Sequence, residues 1–343
     1  MSHIRNAGCG FAAAVAPRAL AAPAADPTPS YALAGAIKAS ASRWDYSSVD
    51  PTRHRLYVAA GPDVVMVNLD SGAVTASFVQ GSKTGKLHAA FALPGGGPVV
   101  TTNGTTNIAQ LIDPETGAVM AAVPTGTKPD AAIFDAASGL VLVMNGHSGD
   151  VTLIDPTAKK AVGAIAVGGA LESAAADGTG RTFVNVEDKN EIAVLDIKAR
   201  SVVARYPLKG CEGPTGMAYA KADDLVISAC ANGVAKVTRG ADGAEVASLA
   251  IGKDPDAVIY DSTRSLAFIP CGEDGVLDIV AVRGRGDVAV VQRLATQKSV
   301  RSGAVDEKTG RLYLPAARYW PPRCAEDGPM IPGSFEILVA APR

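Results

Sequence analysis

Aromatic residues are scarce in this chain, at 5 % of 343 residues. Hydrophobic residues make up 48 % of it, and most of that weight is alanine and valine, as tight sheet packing around an axis would require. Neither sign of charge dominates. Lys and Arg number 32 and Asp and Glu 34, for a formal charge of −2, without a long run of either. The basic footprint of a nucleic-acid binder is therefore missing. No apolar stretch reaches the roughly 18 residues expected of a membrane span. The 5 cysteines do not fall in the CxxC spacing of a zinc site. No GxSxG, HExxH, P-loop or dinucleotide fingerprint occurs in a supporting context. Gly95-Gly96-Gly97 lies in a strand-to-strand turn rather than at a helix N-terminus, which excludes phosphate binding of that kind.

What the chain does have is a repeat. A turn, a β-rich run, a polar break, an apolar run ending in Asp and a further turn recur seven times, anchored at Asp50, Pro94, Asp135, Asp177, Ala222, Asp261 and Asp306. The steps are 44, 41, 42, 45, 39 and 45 residues. A period of roughly 40–45 residues with four short strands per unit is the pattern of a β-propeller blade. The expected fold is all-β, a seven-bladed propeller of four-stranded antiparallel blades in a single domain over residues 26–343. First strands such as Ala131-Ala132-Ile133-Phe134 begin with small residues, as convergence near an axis demands. Second strands such as Val141-Leu142-Val143 and Leu312-Tyr313-Leu314 are β-branched and aromatic. The seventh unit stops after its third strand, and Tyr31–Lys38 resembles the outer strands of other units. Tyr31–Lys38 is therefore expected to complete the last blade and remove its open edge.

Arg55-Leu56-Tyr57-Val58, Asn145-Gly146 and Val151-Thr152-Leu153-Ile154-Asp155 resemble the YVTN-type repeat of the YncE-like β-propeller proteins. Trp44-Asp45-Tyr46, Asn185-Val186-Glu187-Asp188-Lys189 and Pro332-Gly333-Ser334-Phe335 are similar to blocks in bacterial members. The resemblance covers roughly residues 31 to 340. It implies an exported binding or scaffold protein. The chain departs from the repeat at Pro94-Gly95-Gly96-Gly97-Pro98 and at Arg283-Gly284-Arg285-Gly286-Asp287, both in turns.

Residues 1–25 carry a small basic start, an Ala-rich apolar stretch from Ala7 to Val15 and small-residue sites at Ala19-Leu20-Ala21 and Ala22-Pro23-Ala24. They read as a secretory signal peptide or a disordered Ala/Pro leader, and the former would place the protein in the periplasm or outside the cell. Cys9 would leave with a signal. Cys211 precedes the inner strand of blade 5 and Cys230 ends its second strand, so both reach one face and are expected to form a disulfide in an oxidising compartment. Cys271 and Cys324 are candidates for a second bridge.

The residue expected just before each inner strand is Asp45, His88, Asp130, Glu172, Thr215, Asp256 and Arg301, with spacings of 43, 42, 42, 43, 41 and 45. Seven-fold geometry should gather these around one mouth of the central channel. Asp45, His88, Asp130, Glu172 and Asp256 are suitable ligands for a divalent metal ion, and crowded carboxylates raise one another's pKa. The bland alternative is a ring that solvates the channel mouth. His147, in the loop after the second strand of blade 3, faces the same side. So does the long blade 7 connection from Ala316 to Ser334, where Tyr319 and Trp320 are placed to stack on a ligand or dock a partner, or to plug the channel. The expected function is a monomeric, exported binding or scaffold protein for a small polar molecule, a cation or a protein partner. The alternative is a metal-dependent hydrolase or lactonase acting at the channel mouth.

Overall fold

The computed structural model describes residue 1 and residues 29–80, 85–321 and 328–343. Among them are twenty-eight strands and two short 3-10 turns. The strands form seven separate four-stranded antiparallel sheets. This is the seven-bladed propeller that the repeat predicts. Blade 3 shows the plan, running outward from the axis as Pro129–Asp135, Leu140–Asn145, Asp150–Asp155 and Lys160–Ala166. The second strand, Leu-Val-Leu-Val-Met-Asn, is buried on both faces, because a blade is covered by a neighbour on each side. The outer strand of blade 6, Val288–Ala295, instead alternates between half-buried and exposed along its whole length. Its period of two marks a sheet surface with one face in solvent.

Hydrophobic clusters run from blade to blade rather than within one sheet. Leu142, Met144 and Leu153 of blade 3, for example, pack with Val184, Val186 and Leu195 of blade 4. This sharing couples the seven units, none of which could bury its faces alone.

The turns between first and second strands are locked from inside. Asp50, Asp177 and Asp261 are almost wholly buried. Each accepts backbone N–H bonds from its own turn, as Asp50 Oδ1 does from Thr52 at 2.8 Å and Arg53 at 3.2 Å. An arginine of the same turn pairs with the Asp and reaches into the next blade, Arg53 to the carbonyl of Gly96 at 3.0 Å and Arg264 to that of Glu307 at 2.9 Å. In blade 1, His54 sits between Asp70 and Asp306, 2.6 and 3.3 Å away, and so links blade 1 to blade 7.

Blade 7 contains both ends of the ring. Its strands are Ala304–Asp306, Arg311–Ala316, Glu336–Pro342 and, outermost, Tyr31–Lys38. Register runs antiparallel from Tyr31 against Pro342 to Lys38 against Glu336. The Tyr31 ring is buried edge-on against Phe268 of blade 6, with centroids 4.9 Å apart.

Cys211 and Cys230 form the expected disulfide across 19 residues. Cys271 is a free thiol, fully buried, and burial followed by the nearby Asp278 carboxylate pushes its pKa well up. Its suggested partner Cys324 lies outside the described residues, as do Cys9 and nearly all of the leader. Among the described residues, no helix is long and apolar enough to cross a membrane.

Candidate functional site

Four of the seven ring residues stand on backbone irregularities. In blades 2 to 5 the pairing of first and second strands skips a residue between Leu87 and Ala90, Pro129 and Ala132, Leu171 and Ala174, and Pro214 and Met217. His88, Asp130, Glu172 and Thr215 lie inside these bulges. A bulge re-aims side chains that a regular ladder would hold alternately to either face. The ring backbone is also tied across blades. Thr102 donates to the Asp130 carbonyl at 2.5 Å, Asn185 to that of Thr215 at 3.1 Å and Ser302 to that of Asp45 at 3.0 Å. Each bond runs from one blade to the next, so the ring positions are fixed by the closed circle.

Six of the seven candidates line one cavity of about 220 Å³: Asp45, His88, Asp130, Glu172, Asp256 and Arg301. Thr215 does not line it. Its hydroxyl donates to the Pro255 carbonyl at 2.5 Å. His147 is exposed in its loop. Trp320 is 52 % exposed and also outside the cavity lining. The described part of the long blade 7 connection folds back on itself, with Tyr319 bridged to Met330. Tyr319 leans on the buried Trp44, centroids 6.3 Å apart.

The most compact part of the site is the Asp45–His88–Asp130 trio, buried throughout. His88 Nδ1 lies 2.9 Å from Asp45 Oδ2 and 3.5 Å from Asp130 Oδ1. One donor atom from each falls within 4.8 Å of the others, a spacing that a divalent ion could span. On its other side the imidazole abuts Gly104, where an added Cβ would lie 2.8 Å from Nε2. Burial lowers the His88 pKa, with the Asp130 charge opposing that. Nδ1 is the ring nitrogen that faces both carboxylates.

Burial pushes the carboxyls upward, Asp45 to about 6 and Asp130 and Asp256 to about 7. Glu172 rises to about 9, where repulsion from Asp130, Glu187 and Asp256 adds to burial. These are the shifts expected where like charges share a poorly solvated site.

The spacing pattern anticipated one cation at this mouth, Arg301. The structure places more. Arg43 and Lys86 line the same cavity, with Asp254 as a fifth acid. Lys128 acts electrostatically on Asp45, His88, Asp130 and Glu172. These four additions all stand two positions before a ring residue and so share its period. That signal is visible in the sequence once the ring position is known. Arg43 Nη2 is 3.5 Å from Asp45 Oδ2, while its Nε is buried without a hydrogen-bond partner. Arg301 Nε approaches Asp256 Oδ2 at 3.1 Å outside hydrogen-bond alignment.

Tyr46 was also missed. Inner strands were expected to open with small residues, and alanine, serine or glycine occupies the corresponding place in every other blade. The Tyr46 ring crosses the channel to pack against the blade 3–4 cluster. Beneath it the channel continues as an apolar cavity of about 280 Å³ lined by residues such as Ala89, Ala132, Ala257 and Val258. The Tyr46 hydroxyl is buried without a hydrogen-bond partner. Its pKa is held well up by burial and then by the carboxylates Asp256, Glu172, Asp130 and Asp45. Tyr46 thus lines the apolar cavity and not the polar one, with its buried hydroxyl within electrostatic reach of the ring carboxylates.

No family model and no curated protein sequence matches the chain. Solved structures do resemble it. A chain of the mitotic checkpoint complex superposes with a TM-score of 0.75 at 14 % identity, over 96 % of this chain and 98 % of that one. A chain of Kuenenia stuttgartiensis hydrazine synthase gives a TM-score of 0.69 at 13 % identity, over 81 % of this chain and 94 % of that one. Likeness at such identities carries the architecture alone, because one propeller scaffold hosts many unrelated sites. By architecture this chain is a seven-bladed β-propeller.

Proposed function

We propose that the protein is an exported binding protein that takes a small polar molecule into the cup at the channel mouth. The observation that carries this reading is the cup itself. It is a cavity of about 220 Å³ lined by charged side chains and one histidine. Arg43, which lines it, keeps its Nε buried and unpartnered, and so does the nearby Tyr46 hydroxyl. A buried polar group without a partner costs on the order of 1–3 kcal/mol, and a bound molecule with its own donors and acceptors removes that cost. Export is supported by the Cys211–Cys230 disulfide and by the resemblance of the repeat to the YncE-like proteins.

A divalent ion at Asp45, His88 and Asp130 is the second reading, favoured by their donor spacing. Against it, Arg43 lies 3.5 Å from the same Asp45 oxygen that faces His88. An ion there would have to displace a guanidinium and tolerate Arg301 nearby. The small polar molecule is the better fit.

The test is a thermal-shift series with small polar metabolites and divalent ions, on the parent and on Asp130→Ala with Glu172→Ala. A molecule that binds only the folded state raises its melting temperature. Shifts in the parent that vanish in the double variant are expected. Equal shifts in both proteins, or none in either, would reduce the cup to a solvated channel mouth.

A further inference from the structure

The charges of the cup are sorted around the ring. Arg301 belongs to blade 7, Arg43 to blade 1, Lys86 to blade 2 and Lys128 to blade 3, so the cations occupy four consecutive blades. Across the channel, blades 4 to 6 contribute Glu172, Thr215, Asp256 and Asp254 at the equivalent positions, with no base among them. The buried trio lies under the cationic arc and partly neutralises it. Among the described residues Glu172 forms no ion pair, and the acids Asp130, Glu187 and Asp256 act on it against Lys128. On the other side, Arg43 and Arg301 are close enough to repel.

We propose that the cup takes a small zwitterion of amino-acid size, its carboxylate lying toward Arg43 and Arg301 and its ammonium toward Glu172 and Asp256. This rests on the binding reading above and narrows it to a ligand class. The carboxylate gives two mutually repelling guanidinium groups a shared counter-charge and a partner for the buried Arg43 Nε. Charge-assisted bonds of this sort are the strong ones. The ammonium supplies a cation beside Glu172, whereas Asp256 already faces Arg301 at 3.1 Å. A dicarboxylate would satisfy the arginines and meet Glu172 and Asp256 with its second charge. A diamine would do the reverse against Arg43 and Arg301. A cavity of about 220 Å³ admits a free amino acid and excludes a folded peptide segment.

The experiment is a thermal-shift screen of the full chain with the twenty free amino acids, succinate, putrescine, magnesium and calcium, followed by calorimetry on the responders. One or more amino acids should bind, and the N-acetyl and amide derivatives of a responder should bind at least tenfold more weakly. Arg301→Gln should weaken the parent amino acid at least tenfold and leave the amide's residual binding unchanged. Glu172→Gln should weaken the amino acid and leave the N-acetyl form unchanged. Both variants are to be matched to the parent by circular dichroism and melting temperature, with Arg301→Lys as a second variant if the first fails to fold. Binding of putrescine, succinate or a divalent ion with amino acids silent would overturn the zwitterion while leaving the binding cup intact. Silence from every probe would overturn both. Amino-acid binding insensitive to both variants would place the ligand elsewhere and sink the proposal.

Discussion

Gln292, in the outer strand of blade 6, holds both main-chain groups of Tyr31. Its side-chain oxygen accepts from the Tyr31 N–H at 2.8 Å and its amide donates to the Tyr31 carbonyl at 2.7 Å. The first residue of the closing strand is thus fastened to the neighbouring blade as well as to its own.

Loss of that fastening should be felt by the whole domain. Tyr31→Ala removes a buried ring packed on Phe268 and is expected to cost about 3 kcal/mol, in the range of buried aromatic truncations. Deleting residues 29–38 should lower the melting temperature much further and promote aggregation through the exposed edge of Glu336–Pro342. Denaturant unfolding followed by circular dichroism measures both. Unchanged stability in the deletion would show that the ring holds without its N-terminal strand.

The blade 1–blade 7 contact on the opposite face should depend on pH. The hydrogen bond to Asp70, then that to Asp306, raises the His54 pKa above its ordinary value. The folded value exceeds the unfolded one, so the contribution is fully present below a pH of about 6.5 and is lost as pH rises through the folded pKa. Asp306 is shifted the other way, its bonds to Thr309 and His54 outweighing burial, so its share fades as pH falls through that lowered value. Replacing His54→Ala should therefore destabilise most between about pH 4 and 6.5 and little at pH 9. A cost that is flat with pH would mean that His54 is held by packing alone.

The two cysteine environments predict opposite chemistry. Replacing Cys211 and Cys230 by alanine opens a 19-residue link and should cost about 3 kcal/mol. The buried Cys271 thiol should resist alkylation in the native state and react on unfolding, as peptide mapping would show. Rapid native alkylation of Cys271 would contradict its burial.

Tyr46→Phe separates stability from binding. The hydroxyl has no partner, so its removal should leave the protein as stable as before or more stable by about 1 kcal/mol. The same change should weaken any ligand of the cup. A clear destabilisation would mean that the hydroxyl has a structural partner. Gly104→Ala, whose Cβ would press on His88 Nε2, should weaken the same ligand by displacing the imidazole.

Fold was legible because it is written as a period. The turn Asp residues recur, each must accept the same backbone bonds, and the missing fourth strand of the last unit has a visible counterpart at Tyr31–Lys38. The ring was legible for the same reason, and six of its seven members line one cavity. Thr215 shares the spacing but spends its hydroxyl on the backbone of the next blade, a choice that periodicity cannot reveal. Arg43, Lys86, Lys128 and Asp254 share the period too, yet nothing in a linear reading says that the residue two places earlier also faces inward. That depends on the geometry of the connections and on bulges that leave no mark in composition. Tyr46 broke the small-residue pattern and was the one exception that mattered, since alanine, serine or glycine stands at the equivalent place in every other blade.

The order in which this protein is made differs from the order in which it can be finished. Tyr31–Lys38 is among the first segments synthesised, and its partner Glu336–Pro342 is the last strand. The two cannot pair with each other until the chain between them has been made. Pairing of such distant segments is slow to form, and chains interrupted at any earlier point keep an unpaired strand and an open edge. The ring therefore acts as a check on completeness: a truncated product cannot reach the closed state and remains exposed to proteases and to aggregation.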